Sequence, residues 1–125
     1  MEKKIRGIKS SLKQLYGAEP GKADIQWRRY QELVAWHKQC FKSADLSFFS
    51  APGRTEIGGN HTDHNQGRVL AAAVNPDSVA AVSPADRPVI TVYSQGYAKP
   101  FIVSLNNLEA DPAEQGTTFA LIRGI

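Results

Sequence analysis

Ile5, Ile8, Leu12 and Leu15 recur at intervals of three and four residues, with lysines filling the opposite side. That spacing predicts an amphipathic helix, ended by Gly17 and Pro20. Asp24 is the expected N-cap of a second helix, in which Tyr30, Leu33, Val34, His37 and Phe41 keep the same period. After Lys42 the period changes. Leu46 to Ser50 is a short apolar run followed by Pro52-Gly53, and it reads as a strand stopping at a turn. Val69 to Val74, Ser78 to Ser83, Val89 to Ser94 and Phe101 to Leu105 read as four more strands. Asn75-Pro76-Asp77, Pro84-Ala85-Asp86 and Gln95-Gly96-Tyr97 supply the turns between them. Asn106 to Gly116 is expected to be a polar loop, and Thr117 or Thr118 to cap a third helix.

This order of elements predicts an α+β fold: helices first, then a strand-rich body with mostly antiparallel neighbours. The expected organisation is one domain over residues 1–125, with a helical lead-in at 1–42 and a sheet body at 43–125. A helix that begins just before Ile125 is read as a sign that the chain is part of something longer.

Composition narrows the class. The chain is 42% hydrophobic and 22% charged, which suits one soluble domain with a real core. No apolar run approaches the length of a membrane span. Lys3, Lys4, Arg6 and Lys9 interrupt any secretory signal core. A single cysteine, Cys40, allows no disulfide within the chain and indicates a reducing, cytoplasmic setting. It is expected to act as a small buried hydrophobe. The net charge of +3 is uneven: ten Lys/Arg against four Asp/Glu up to Lys42, then five against eight. The basic part is read as a solvated helix face rather than a nucleic-acid footprint, because no aromatic-glycine recognition motif accompanies it. No nucleic-acid or membrane partner is expected.

The chemistry concentrates in residues 51–67, where two histidines, two acids, two asparagines and Arg54 crowd between glycines. Convergent polar groups on a loop are where binding usually sits. Arg54 serves either to hold a phosphate or developing negative charge, or to form an ion pair with Glu56 or Asp63. Asp63 serves as a hydroxyl acceptor, a metal ligand or the cap of its own turn. His61-Thr62-Asp63-His64 is similar to the end of the metal motif of metallo-β-lactamase-like hydrolases. Gly59 stands where that motif has its leading histidine, and the chain's third histidine, His37, falls on a helix. Too few ligands remain for a binuclear zinc site, so no metal site is expected in this chain. His37 itself reads as a satisfied, semi-buried histidine. Gly58-Gly59 is not a phosphate loop, since no Gly-Lys-Ser/Thr follows.

Ala51-Pro52-Gly53-Arg54-x-x-Ile57-x-Gly59-x-His61-Thr62-Asp63-x-Asn65-x-Gly67 resembles the galactokinase signature, Pro-Gly-Arg-Val-Asn-Leu-Ile-Gly-Glu-His-Thr-Asp-Tyr-Asn-x-Gly. The likeness continues into Val69 to Val74. It points to the GHMP small-molecule kinase superfamily, and it implies the first part of that superfamily's N-terminal domain. It also implies ATP-dependent phosphorylation of a hexose, galactose or a related sugar, at the anomeric hydroxyl. By the resemblance, Arg54 stabilises the transition state, and Arg54, Asn60, His61, Thr62 and Asp63 hold the sugar. Asn60 stands where the signature has glutamate, Thr55-Glu56 where it has an apolar-Asn pair, Gly58 where it has isoleucine and His64 where it has tyrosine.

The family's glycine- and serine-rich ATP loop, its Mg²⁺ ligands and its catalytic aspartate have no counterpart in residues 1–125. The resemblance implies a longer kinase that uses ATP and Mg²⁺, with this chain inactive by itself. Self-association through an exposed sheet edge is expected. Two other readings stand beside the kinase: a non-catalytic sugar sensor of the same fold, and a basic nucleic-acid-binding module.

Overall fold

The computed structural model describes residues 2–43, 45–59 and 66–125, and within the first helix the side chains of Gly7, Ile8 and the residues from Ser11 onward. Among these the architecture is α+β, with helices and two separate two-stranded antiparallel sheets. The chain divides into two compact units, Met1–Ser83 and Pro84–Ile125.

In the first unit, helix α1 spans Glu2–Tyr16 and helix α2 spans Lys22–Phe41. Gly17 and Gly21 both take left-handed backbone angles, φ 91° and 82°, which turn the chain between the helices. Gly21, not Asp24, occupies the N-cap position, and no side chain caps that end. Asp24 lies in the first turn instead, where its charge suits the positive end of the helix dipole. Leu12 is completely buried, which contributes about 1.5–3 kcal/mol for a leucine. Leu15, expected on the same buried stripe, is 61% exposed. It sits one turn further on and borders an open groove with Ile8, Ser11, Tyr30 and Phe48.

Helix α2 buries Tyr30, Val34 and His37, one face at helical spacing. The Tyr30 ring meets Phe48 at 5.7 Å between centroids. Leu46 is buried as well, at 4% exposure. Cys40 is only half-buried, because it lies off the Tyr30–Val34–His37 face, and it is not a core residue. His37 is more deeply buried than its sequence context suggests, at 5% exposure. Its Nε2 lies 3.1 Å from the Ser83 hydroxyl and its ring stacks on Phe41 at 4.8 Å. The other ring nitrogen, Nδ1, is buried with no hydrogen-bond partner among the described residues.

Strands β1, Ser47–Gly58, and β2, Leu70–Val82, form one long antiparallel ribbon. This corrects two expectations. The strand from Leu46 does not stop at Pro52-Gly53, and Asn75-Pro76-Asp77 does not turn the chain. Instead the register jumps: Pro52 pairs with Asp77, while Gly53 pairs with Val74. Asn75 and Pro76 are left over as a two-residue bulge. A two-stranded ribbon has a free edge on each strand, so neither proline disrupts a further ladder. At the jump glycine avoids crowding, since a Cβ on Gly53 would lie 3.1 Å from both the Pro76 carbonyl and the Val74 side chain.

In the second unit, β3, Val89–Val92, pairs with β4, Phe101–Ser104. The reversal expected at Gln95-Gly96-Tyr97 is present, with Gly96 at φ 92° and the Tyr97 N–H donating to the Ser94 carbonyl at 3.2 Å. Within the expected polar loop, Pro112–Glu114 forms a 3-10 turn capped by Asp111. Helix α3 spans Thr118–Arg123 and is capped by Thr117, whose hydroxyl accepts from the Ala120 N–H. Val103 is 1% exposed, and Phe101 stands edge-on to both Tyr97 and Phe119, at 5.0 and 5.3 Å. Arg123 closes the unit with a forked pair of bonds to Glu114, both 2.9 Å, and a third to the Asn107 carbonyl.

Candidate functional site

The segment that carries the sequence signature is the ribbon. Residues Ala51–Gly58, expected in a loop, belong to β1; only Gly59 to Val69 lies between the strands. Arg54 is the second residue past the bulge, paired with Ala73, and is exposed on the ribbon. Glu56, two residues on, shares its side of the strand by the alternation of β structure. Asn60, His61, Thr62 and Asp63, the other expected site residues, lie outside the described residues, as does His64. The structure therefore describes the frame of the candidate site and one of its members.

That frame is tightly drawn. Gly58 pairs with Leu70 at the end of the ribbon. Gly59 has φ 110°, and a Cβ there would come within 2.6 Å of the Arg68 carbonyl and 2.7 Å of the Val69 Cα. Only glycine satisfies both the backbone angle and the close approach of the returning chain. Gln66 also takes a positive φ, 60°.

Sequence reasoning missed a part-buried polar cluster at the bulge. Asp77 was expected as turn material; its side chain is 5% exposed. Its Oδ2 accepts from the Tyr16 and Ser50 hydroxyls, each at 2.6 Å. Arg29 pairs with Oδ1 and also donates to the Asp77 carbonyl at 2.7 Å. Tyr16 reaches the Tyr30 hydroxyl at 3.2 Å. Burial by itself would raise the Asp77 carboxyl, but the bonds from Arg29, Ser50 and Tyr16 and the Arg29 charge outweigh it and hold it down at about 2. Burial, followed by the bond to Asp77, pushes the Tyr16 phenol well above its ordinary range. The members come from α1, α2, β1 and β2, up to 61 residues apart, so no local pattern in the sequence could reveal them.

Among the described residues no group of three or more His, Cys, Asp or Glu could hold a metal ion. No described helix is long and apolar enough to cross a membrane.

Residues 35–84 match the family described as the galactokinase galactose-binding signature, a span running from the middle of α2 to the end of β2. The chain is 40% identical over 81 residues to a galactokinase of Streptococcus suis, covering 63% of this chain and 20% of that protein. It is 36% identical over 83 residues to a galactokinase of Candida albicans, covering 63% and 16%. With a galactokinase of Levilactobacillus brevis it shares 30% identity over 92 residues, covering 72% and 24%. The matched part thus spans about a fifth of the length of these relatives. No solved structure matches the chain.

Proposed function

We propose that this chain, whose residues 35–84 carry the galactokinase galactose-binding signature, is the sugar-holding part of a longer ATP-dependent hexose 1-kinase. The substrate is galactose or a hexose related to it, phosphorylated at the anomeric hydroxyl. The observation that carries the reading is the coincidence of the signature with the ribbon: the match covers β1, β2 and the segment between them.

The residues suit the chemistry. Phosphoryl transfer asks a protein mainly for positioning and charge stabilisation. Arg54, always charged and exposed on the ribbon, supplies a fork for the oxygens of the transferring group. Asn60, His61, Thr62 and Asp63 supply both donors and acceptors for sugar hydroxyls. Asn60 both donates and accepts where the signature's glutamate only accepts, so it bears on which hydroxyl pattern is held. ATP and Mg²⁺ belong to the longer kinase in this reading, and the described residues offer no carboxylate cluster for the metal. The setting is cytoplasmic. Self-association through the free edges of the sheets is part of the same proposal.

The change at Asn60 favours a second reading, a sugar sensor that binds without turnover. Titrating the chain with D-galactose and its epimers, followed by amide chemical shifts, tests the common core of both. Saturable binding of one hexose is expected; no shift with any hexose at tens of millimolar would overturn both. Transfer of the ATP γ-phosphoryl group to the anomeric hydroxyl of that hexose, with release of ADP, in a chain extended through an ATP loop separates the kinase from the sensor. The nucleic-acid reading predicts salt-sensitive binding to DNA or RNA, and none is expected.

A further inference from the structure

The contacts of the helices with the ribbon gather on one side of the bulge. Tyr30 packs on Phe48, Tyr16 bonds to Ser50 and Asp77, Arg29 to Asp77, and His37 to Ser83. Among the described residues these partners lie on the Ser47–Val82 side of the bulge, with Ser83 just past the end of β2. On the other side, Gly53–Gly58 and Leu70–Val74 are exposed or half-buried, with Ile57 at 63% and Leu70 at 62% exposure. The ribbon thus has a base that these contacts hold and an arm that runs on past the bulge. Arg54 rides on the arm.

Asp77 stands at the junction. It is the last base residue of β2 before Asn75 and Pro76 interrupt the ladder, and it pairs with Pro52, the last base residue of β1. Neither junction partner helps fix the angle there: Pro52 has no N–H to give, and Gly53 has no side chain to pack. The carboxylate takes over that task, drawing donors from α1, α2 and β1, while Arg29 also holds the Asp77 backbone carbonyl. The donors Tyr16, Ser50 and Arg29 thus converge on one carboxylate.

We propose that Asp77 is a positioning residue: it fixes the angle of the arm at the bulge and through it the place of Arg54. This rests on the sugar-kinase reading only for its consequence, not for the geometry. The experiment is hydrogen exchange on the whole chain, without sugar. In Asp77→Asn, amides of Gly53–Gly58 and Leu70–Val74 should exchange about tenfold faster or more, while Phe48–Ser50 and Val79–Val82 keep their protection. Equal acceleration along the whole ribbon, or none, overturns the proposal. Should Asp77→Asn fail to fold, Tyr16→Phe and Ser50→Ala each remove one donor and leave the Arg29 pair. They should loosen the same arm residues by a smaller factor, and no selective loosening in either one overturns it.

A D-galactose titration of the same variants reads the consequence. If the unaltered chain binds, Asp77→Asn should weaken binding about tenfold. Unchanged affinity with a loosened arm removes the positioning role. A chain that binds no sugar refutes the functional reading, and exchange alone then decides the geometry.

Discussion

Arg29 grips Asp77 at two points, with one guanidinium nitrogen on the carboxylate and the other 2.7 Å from the backbone carbonyl of the same residue. This pair joins helix α2 to the ribbon where the ladder is weakest. Its energetic signature is a pH dependence. The Asp77 carboxyl is held at about 2, below its ordinary 3.8. A depressed carboxyl stabilises the fold fully above its unfolded value and loses that stabilisation as pH falls toward its folded value. Stability should therefore drop by about 2 kcal/mol between pH 4 and pH 2, and Asp77→Asn should flatten that drop. Urea unfolding curves at pH 5, 4, 3 and 2 measure it.

His37 gives a second dependence in a different window. Burial lowers its pKa below 6.5, and among the described residues its Nδ1 has no hydrogen-bond partner. The unfolded chain takes up the proton first, so stability is complete above pH 6.5 and falls as pH drops below it. His37→Leu should remove the part of the pH 7 to pH 5 loss that belongs to this group. Thermal unfolding of both forms at the two pH values decides; equal slopes would show that His37 is not the titrating group.

Two adjacent glycines should respond in opposite ways to alanine. Gly59→Ala drives a Cβ to 2.6 Å from the Arg68 carbonyl at φ 110° and should destabilise by about 2 kcal/mol or more. At Gly58 a Cβ meets nothing within 4 Å, so Gly58→Ala should change stability by less than about 0.5 kcal/mol. Denaturant midpoints of the two variants give the comparison.

Arg54→Ala should leave the fold intact, because Arg54 is exposed and its strand is held by backbone pairing with β2. In a kinase that contains this chain, the same change should lower the phosphorylation rate on the order of 10²–10³-fold, the effect of removing one charge stabiliser. A rate close to that of the unaltered enzyme would take Arg54 out of the mechanism.

What the sequence discloses here is what is local. Thr117 caps α3, and Tyr30, Val34 and His37 form the buried face of α2, because caps and helical period depend on neighbours a few residues away. The signature is legible for the same reason, as a short run with its own chemistry. Reading failed where distant partners decide. Leu15 follows the helical period, yet it is 61% exposed. In β2, the half-buried positions are Ala81, Val79 and Asp77 before the bulge, then Val74 and Ala72 after it. The bulge moves the inward face from odd to even numbers, so alternation read straight through breaks one strand into two. Asp77 escaped because its donors are set by tertiary packing, and Asn-Pro-Asp is ordinary turn composition.

The same bulge marks where the ribbon is divisible. No ladder pair joins Asn75 or Pro76 to β1, so a cut between Pro52 and Gly53 on one strand and beside Asn75 on the other severs no cross-strand pair. Gly53 to Val74 is thus a cassette. A relative's version of it, carrying a different choice at the Asn60 position, can be grafted onto the same helical base, and under the proposed function the hexose preference should travel with it.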